Sequence, residues 1–403
     1  MKCEAPLKLL VVSTLPWIYP ARLACQLRSA GFEVEAACLA GSAIEQACPP
    51  IPVHRLNRLR EAAGIAAAIK RVEPFLVVPC DDRATGILHR LHASGSAARM
   101  RLIERSLGDP AGFAAVRSKR AVLADARGLG LQVPMTTTVS RRTDLEAEVA
   151  RRGLPLVLKR DGSWGGKGVR IVRTPGELRG AWDELLSRSL AQAVRGVRQH
   201  KSLAPVAELF GLSPVDVDVQ DYVAGLPANR AVVCEHGRVI AGLSVMALET
   251  QSETGAASVV RAVDHPQMAK TAAALVERLG LSGFVGFDFV VSEETGEAVL
   301  LEINPRATPI SHLAIGGREH LPSEFAEAVT GFPAVGRPKA LAGDTIMLFP
   351  NEISRDPASG YFATAAHDVP WDQPGLIAMV RRELEQARPG ISAKFSTLAG
   401  AAS

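Results

Sequence analysis

Two stretches of this 403-residue chain have the residue types and spacing to do chemistry. In the first, the apolar strand pattern Leu156-Val157-Leu158 ends on Lys159, runs through Ser163, Trp164, Gly165, Gly166, Lys167 and Gly168, and resumes as a strand at Val169. Glycines let backbone N–H groups approach phosphate oxygens closely, and an ammonium at a strand end can lie along the same oxygens. No helix-opening GK[ST] follows, so the loop lies over its ligand as a flap between strands. The second stretch is Phe287-Asp288-Phe289 with Leu301-Glu302-Ile303-Asn304-Pro305-Arg306, joined by a turn composition at Glu293-Glu294-Thr295-Gly296. Alternate strand residues share a face, so Glu302, Asn304 and Arg306 point one way and an antiparallel partner sets Asp288 beside them. Two carboxylates and an amide oxygen are hard ligands of the kind magnesium takes when it bridges phosphates. Solvent-facing acids are the plain alternative, but Asp288 lies in the apolar run Phe284 to Val291, where an uncompensated carboxylate would cost roughly several kcal/mol if buried.

Weaker signals lie between and around these. Val219-Gln220-Asp221-Tyr222-Val223-Ala224-Gly225 reads as a strand that breaks at glycine, offering backbone edges to an adenine ring or simply ending. Arg230, Arg261 and Arg306 have the fork geometry to clamp a carboxylate, although a chain with 36 arginines has many on its surface. Only ten lysines occur, so their appearance at the motif positions is informative. His312 reads as an acid–base group or, with more weight, as a histidine satisfied by backbone. Asp368-Val369-Pro370-Trp371-Asp372 is explained as well by packing of Trp371.

The elements that must position these residues follow from periodicity. Apolar runs at Leu9 to Ser13, Val34 to Leu39 and Phe75 to Pro79 alternate with helical patterns, the rhythm of a parallel α/β sheet. No GxGxxG follows the first strand. That module reads as a scaffold or dimerisation unit, with substrate contact from Cys80, Asp81 and Asp82 as the lesser alternative. Strands are expected at Val215 to Val223, Ala231 to Glu235, Val239 to Val245, Phe284 to Val291 and Ala298 to Ile303. Beyond residue 335 only a strand over Asp344 to Phe349 and a helix over Gly375 to Gln386 are legible.

Composition narrows the class. A hydrophobic fraction of 47% and charged fraction of 22% are those of a folded globular chain. A formal charge of +4 without basic runs gives no footprint for nucleic acid. Six scattered cysteines form no CxxC pair, and the apolar start is too short for a membrane span, so no membrane role and a cytoplasmic location are expected.

Taken in order, these pieces resemble the ATP-grasp superfamily, of carboxylate-amine ligase type, over about residues 110 to 330, with the preceding module similar to a pre-ATP-grasp domain. The resemblance implies a Rossmann-like parallel-sheet domain over 1–110, an ATP-grasp domain of two α+β subdomains over 111–335 with a flap at about 135–222, and a small C-terminal extension over 336–403. It implies that Lys119 and Lys159 bind phosphates, that Ser163 to Gly168 is the mobile loop above them, and that Gln220, Asp221, Tyr222 and Val223 hold adenine. Asp288, Glu302 and Asn304 fall on the metal ligands, and Arg306 on the arginine of E-x-N-x-R. Lys159, Glu302 and Arg306 would be catalytic. The segment Leu248 to Val263, with Glu249, Gly255 and Arg261, is similar to the acceptor-side loop, and Arg230 joins it as a carboxylate clamp. Two departures stand out. Trp164 is bulky for its loop, and the acid that commonly holds ribose is replaced by Leu226-Pro227-Ala228, leaving Asn229 or something distant. The implied activity is ligation of a carboxylate to an amine or thiol through an acyl phosphate, using ATP with Mg2+ or Mn2+ and releasing ADP and phosphate, in a homodimer. The alternatives are an ATP-grasp kinase that releases its phosphorylated product and a nucleotide-binding regulatory protein without turnover.

Overall fold

The computed structural model describes residues 6–160, 168–186 and 216–389. The first sheet holds β1 (Lys8–Ser13), β2 (Glu33–Leu39), β3 (Val53–Leu56) and β4 (Leu76–Pro79), all parallel in the order β3-β2-β1-β4. Residue parity along β1 sorts its side chains into two cores. Leu9 and Val11 pack with the helix Tyr19–Ser29, while Leu10 and Val12 pack with the helices Glu61–Val72 and Asp82–Ala93. Helices on both faces are why this strand reads as a continuous apolar run.

A second, four-stranded sheet is antiparallel, with β5 (Thr136–Val139), β6 (Leu156–Arg160), β7 (Val169–Val172) and β8 (Val217–Asp221) in the order β5-β8-β6-β7. Leu156, Leu158, Val217 and Val219 bury against Leu145, Trp182 and Leu185 on one face. Period two therefore turns Lys159 and Asp218, which are directly paired, to the other face.

The third sheet has seven strands, ordered β13-β12-β9-β10-β11-β14-β15: β9 (Gly225–Glu235), β10 (Arg238–Thr250), β11 (Ala257–Ala262), β12 (Gly283–Ser292), β13 (Ala298–Asn304), β14 (Thr345–Met347) and β15 (Ala366–His367). Phe287, Phe289 and Val285 of β12 sit in a core with the helices Lys119–Gly128 and Pro266–Arg278. Asp288 and Gly286 consequently face the opposite way. Gly286 has a specific requirement: a Cβ there would lie 2.1 Å from Thr308 Cγ2, so only glycine lets the segment after β13 fold back across β12.

Two expectations change. Part of the segment read as an acceptor loop, Ala257–Ala262, is strand β11, hydrogen-bonded to both β10 and β14. The region after residue 335 is also more than an appendage, since β14 and β15 extend the third sheet. One apolar core joins Leu9 and Leu23 of the first module to Ala231 and Val260 of the third sheet and to Ile346, Phe349 and Leu376 near the C-terminus. Among the described residues, no helix is long and apolar enough to cross a membrane.

Candidate active site

Antiparallel pairing of β12 with β13 and β9 sets Asp288 opposite both Glu302 and Asn229. Asp288 is gripped by two amides: Asn229 Nδ2 donates to Oδ1 at 2.5 Å and Asn304 Nδ2 to Oδ2 at 2.8 Å. Burial, then the neighbouring Glu302 charge, pushes the Asp288 carboxyl up to about 6 against the pull of those amides. Glu302 moves the other way. Burial raises it, but Lys119 and Lys159 together overcome that and hold it below the usual carboxylate range.

The lysines come from different elements. Lys119 opens the helix Lys119–Gly128, whose N-cap Ser118 accepts from Ala121 N, and its Nζ reaches Glu302 Oε2 at 2.5 Å. Lys159 projects from the outward face of β6. Burial and the like charge of Lys119 depress its pKa, while Glu302, Asp288 and Asp218 act to raise it. Two ammonium groups and two carboxylates thus face one another between the second and third sheets.

Arg306 is buried and fully engaged. Its Nε donates to Asp82 Oδ1 at 2.8 Å, Nη2 to Asp82 Oδ2 at 3.3 Å and to Asn304 Oδ1 at 2.9 Å, and Nη1 to the Ala307 carbonyl at 3.3 Å. Trp17 lies under it, 5.8 Å from guanidinium carbon to ring centroid. Both residues belong to the first module, so that module builds part of the site. The sequence signal for Asp82 was its place just past a parallel strand end. The adjacent Asp81 is structural: it caps the helix Asp82–Ala93 through Ala84 N and takes hydrogen bonds from Thr14 N and Oγ1.

Several sequence expectations land elsewhere. Asn304 sits with the two acids, yet its amide N–H2 faces Asp288 and its oxygen faces Arg306, so of these three residues Asp288 and Glu302 are the ones that turn acceptor oxygens inward. Arg230 and Arg261 point away from the site. Arg230 follows Asn229 on β9, so alternation puts it on the opposite face, where it donates to Ser244 Oγ at 2.8 Å. Arg261 is exposed between Val260 and Ala262, which are buried in the core on the site's side. Gly255 closes a turn with Ser252, and Glu253 in that turn pairs with Arg173 beyond β7. Gln220 is committed to Thr136 Oγ1 and the Asp221 side chain to Arg152, while the Arg173 guanidinium lies 5.7 Å from the Tyr222 ring centre. The backbone groups of Tyr222 and Val223 hydrogen-bond to no described residue. Ser163, Trp164, Gly165, Gly166 and Lys167 lie outside the described residues. His312 is structural: Nε2 meets Asp368 Oδ2 at 3.2 Å, and Asp368 holds Arg22 of the first module at 2.5 Å. In the segment 368–372 it is therefore Asp368 that packs, while Trp371 is 38% exposed.

A parallel-sheet module followed by a second and third sheet that face each other across lysines and paired acids is the architecture of the ATP-grasp fold. Residues 116–309 match the family model described as ATP-grasp domain, so this part of the chain is an ATP-grasp domain. It is 25% identical over 304 residues to the carbamoyl phosphate synthase large chain of Gemmatimonas aurantiaca, which covers 73% of this chain and 25% of the relative. The chain thus spans about a quarter of the length of the curated relatives it matches. Among solved structures, carboxyaminoimidazole ribonucleotide synthase from Aspergillus clavatus, complexed with ATP, aligns with a TM-score of 0.57 at 14% identity, covering 82% of this chain and 79% of that one. Biotin carboxylase from Campylobacter jejuni aligns with a TM-score of 0.55 at 15% identity, covering 81% and 69%. At those identities the likeness is one of fold.

Proposed function

We propose that this protein is an ATP-dependent ligase that phosphorylates a carboxylate and passes the acyl group to an amine or thiol, releasing ADP and phosphate. The observation that carries the reading is the convergence of Lys119 and Lys159 with Asp288 and Glu302 between two sheets. A carboxylate cannot acylate an amine at neutral pH because oxide would have to leave; phosphorylation makes phosphate the leaving group instead. The protein's task is then placement and charge neutralisation.

The donor set fits a magnesium ion. Asp288 and Glu302 are paired across the strands, their mutual repulsion helps drive Asp288 upward, and the buried Asn229 Oδ1 has no partner among the described residues. With the Asn304 oxygen turned to Arg306, phosphate oxygens and water would complete the shell. When bound, the ion would neutralise charge developing on the transferred phosphoryl group. Lys119 and Lys159 would lie along the phosphates, which frees Glu302 from Lys119. The uncommitted backbone of Tyr222 and Val223 is suited to an adenine edge. Arg306, held from behind by Asp82 and Trp17, would hold the acyl phosphate or the oxyanion formed on nucleophilic attack.

Purified protein supplied with Mg-ATP and an array of carboxylates and amines should release ADP only when both substrates are present. Glu302→Gln should lower turnover about a hundredfold or more, on the order of 3 kcal/mol of transition-state stabilisation. Near-native turnover in that variant would remove the metal assignment, and ADP release without an acceptor would make the protein a kinase.

A further inference from the structure

The helix Lys119–Gly128 begins with two cations that go to different sheets. Lys119 Nζ reaches Glu302 on β13, and the next residue, Arg120, reaches Asp218 on β8, Nη2 to Oδ1 at 3.1 Å. Asp218 is buried, 6% exposed, on the face of the second sheet that carries Lys159. Taking a carboxylate out of water is costly unless charge and hydrogen bonds offset it. Thr138 on β5 donates Oγ1 to Asp218 Oδ1 at 2.7 Å, the same oxygen that Arg120 meets. Oδ2 accepts no hydrogen bond from a described residue, so the carboxylate is anchored by one oxygen and presents the other.

The neighbouring strands decide what that oxygen can serve. β8 lies between β5 and β6, so Asp218 has Thr138 directly opposite on one side and Lys159 directly opposite on the other. Side chains at such paired positions have Cβ atoms about 5 Å apart, within the span of a lysine stem. Oδ1 is taken from the β5 side, which leaves Oδ2 for the β6 side. Lys159 forms no ion pair with a described residue, and three carboxylates attract its ammonium: Glu302 and Asp288 from the third sheet and Asp218 from its own. Without a hold from its own sheet the ammonium would fall onto Glu302 and Asp288, the two acids suited to a metal ion.

We propose that Asp218 is a positioning residue for nucleotide binding: anchored by Thr138 and Arg120, it holds Lys159 back from the paired acids and directs its ammonium to the phosphates of ATP. Because Arg120 adjoins Lys119 on the same helix, this contact also sets the spacing of the two phosphate lysines across the cleft. The assignment rests on the nucleotide part of the ligase reading above.

The test is calorimetric titration of the full-length protein with a non-hydrolysable ATP analogue plus Mg2+ and, separately, with adenosine, which lacks the phosphates. Asp218→Asn keeps an Oδ1 acceptor for Thr138 and Arg120 and removes the charge. It should weaken the analogue about tenfold, the scale of a lost hydrogen bond to a charged group, and leave adenosine unchanged. Adenosine separates positioning from damage, since β8 runs directly into Tyr222 and Val223 and a disturbed strand would spoil adenine binding as well. Lys159→Met should weaken the analogue, and adding Asp218→Asn to it should do nothing further. Arg120→Gln, at a half-exposed side chain, should act in the same sense as Asp218→Asn and replaces it should that variant not fold. Undiminished affinity for the analogue, an equal loss for adenosine, or full additivity with Lys159→Met overturns the proposal. Failure of the unaltered protein to bind the analogue overturns the ligase reading and this proposal with it, whereas analogue binding that ignores Asp218 overturns this proposal alone.

Discussion

Asp82 is the residue through which the first module holds Arg306, and replacing it tests whether that grip matters. Arg306 is buried, and Asp82 is its sole carboxylate partner within ion-pair distance among the described residues. After Asp82→Ala the guanidinium keeps only two neutral acceptors, Asn304 Oδ1 and the Ala307 carbonyl. Breaking a fully buried pair by removing one partner costs about 3–5 kcal/mol. An exposed pair is worth about 0–1 kcal/mol. The Asp82 side chain is 41% exposed while that of Arg306 is 10% exposed, so the pair falls between these limits and the expected loss is about 2 kcal/mol. Urea denaturation of Asp82→Ala, Arg306→Met and the double variant should return that loss for the first and a coupling energy of at least about 1 kcal/mol from the cycle. Turnover of Asp82→Ala should fall as well, since Arg306 is released from its position. A loss below about 0.5 kcal/mol with additive single variants would show that the first module does not hold Arg306, and the two-module account of the site would be withdrawn.

Three further outcomes are expected. Asn229→Leu removes the 2.5 Å hydrogen bond to Asp288, so the apparent affinity for Mg2+ measured by nucleotide-binding titration should fall about tenfold, roughly the effect of losing an outer partner of a metal ligand; Asn229→Asp, which places a third acid at the site, should not restore it. Gly286→Ala should cost at least about 2 kcal/mol in denaturation, because its Cβ would sit 2.1 Å from Thr308 Cγ2, and Gly286→Ala with Thr308→Ser should recover part of that. His89, stacked on Phe113 at 4.1 Å, is held to about 4 by burial and then by Arg117. Its folded pKa is below its unfolded value, so its contribution is complete above pH 6.5 and is lost as pH falls from 6.5 to about 4, at most about 3 kcal/mol. His89→Leu should flatten stability across that window, and an unchanged slope would refute the assignment.

The sequence carried the parallel module, the paired strands around Lys159 and the face shared by Asp288 and Glu302, because each rests on local periodicity. Strand parity also decides what it missed. Arg230 and Asn229 are adjacent, and one places its side chain on the site while the other turns it to the far side; without the register of β9 against β12 the arginine looked the better candidate. Asn229 was weighed for ribose because it lay near the expected position in sequence, yet pairing sets it against Asp288. β11 is short and follows a bulged strand end, so its apolar residues blended into a loop reading. Asp82 could be noticed but not assigned, since its partner is 224 residues away. β14 is only three residues long and takes its meaning from Val259 to Arg261 on a distant strand.

That last pairing bears on how the protein emerges from the ribosome. The family domain ends at residue 309, but the outer edge of β11 has no strand beside it until residues 345–347 are made. A nascent chain halted between those points presents the buried pair Val259 and Val260 on an open sheet edge, a template for pairing with another chain. The third sheet is therefore expected to complete its folding only after translation has passed residue 347, and truncation near residue 310 should yield aggregates in place of a smaller soluble protein.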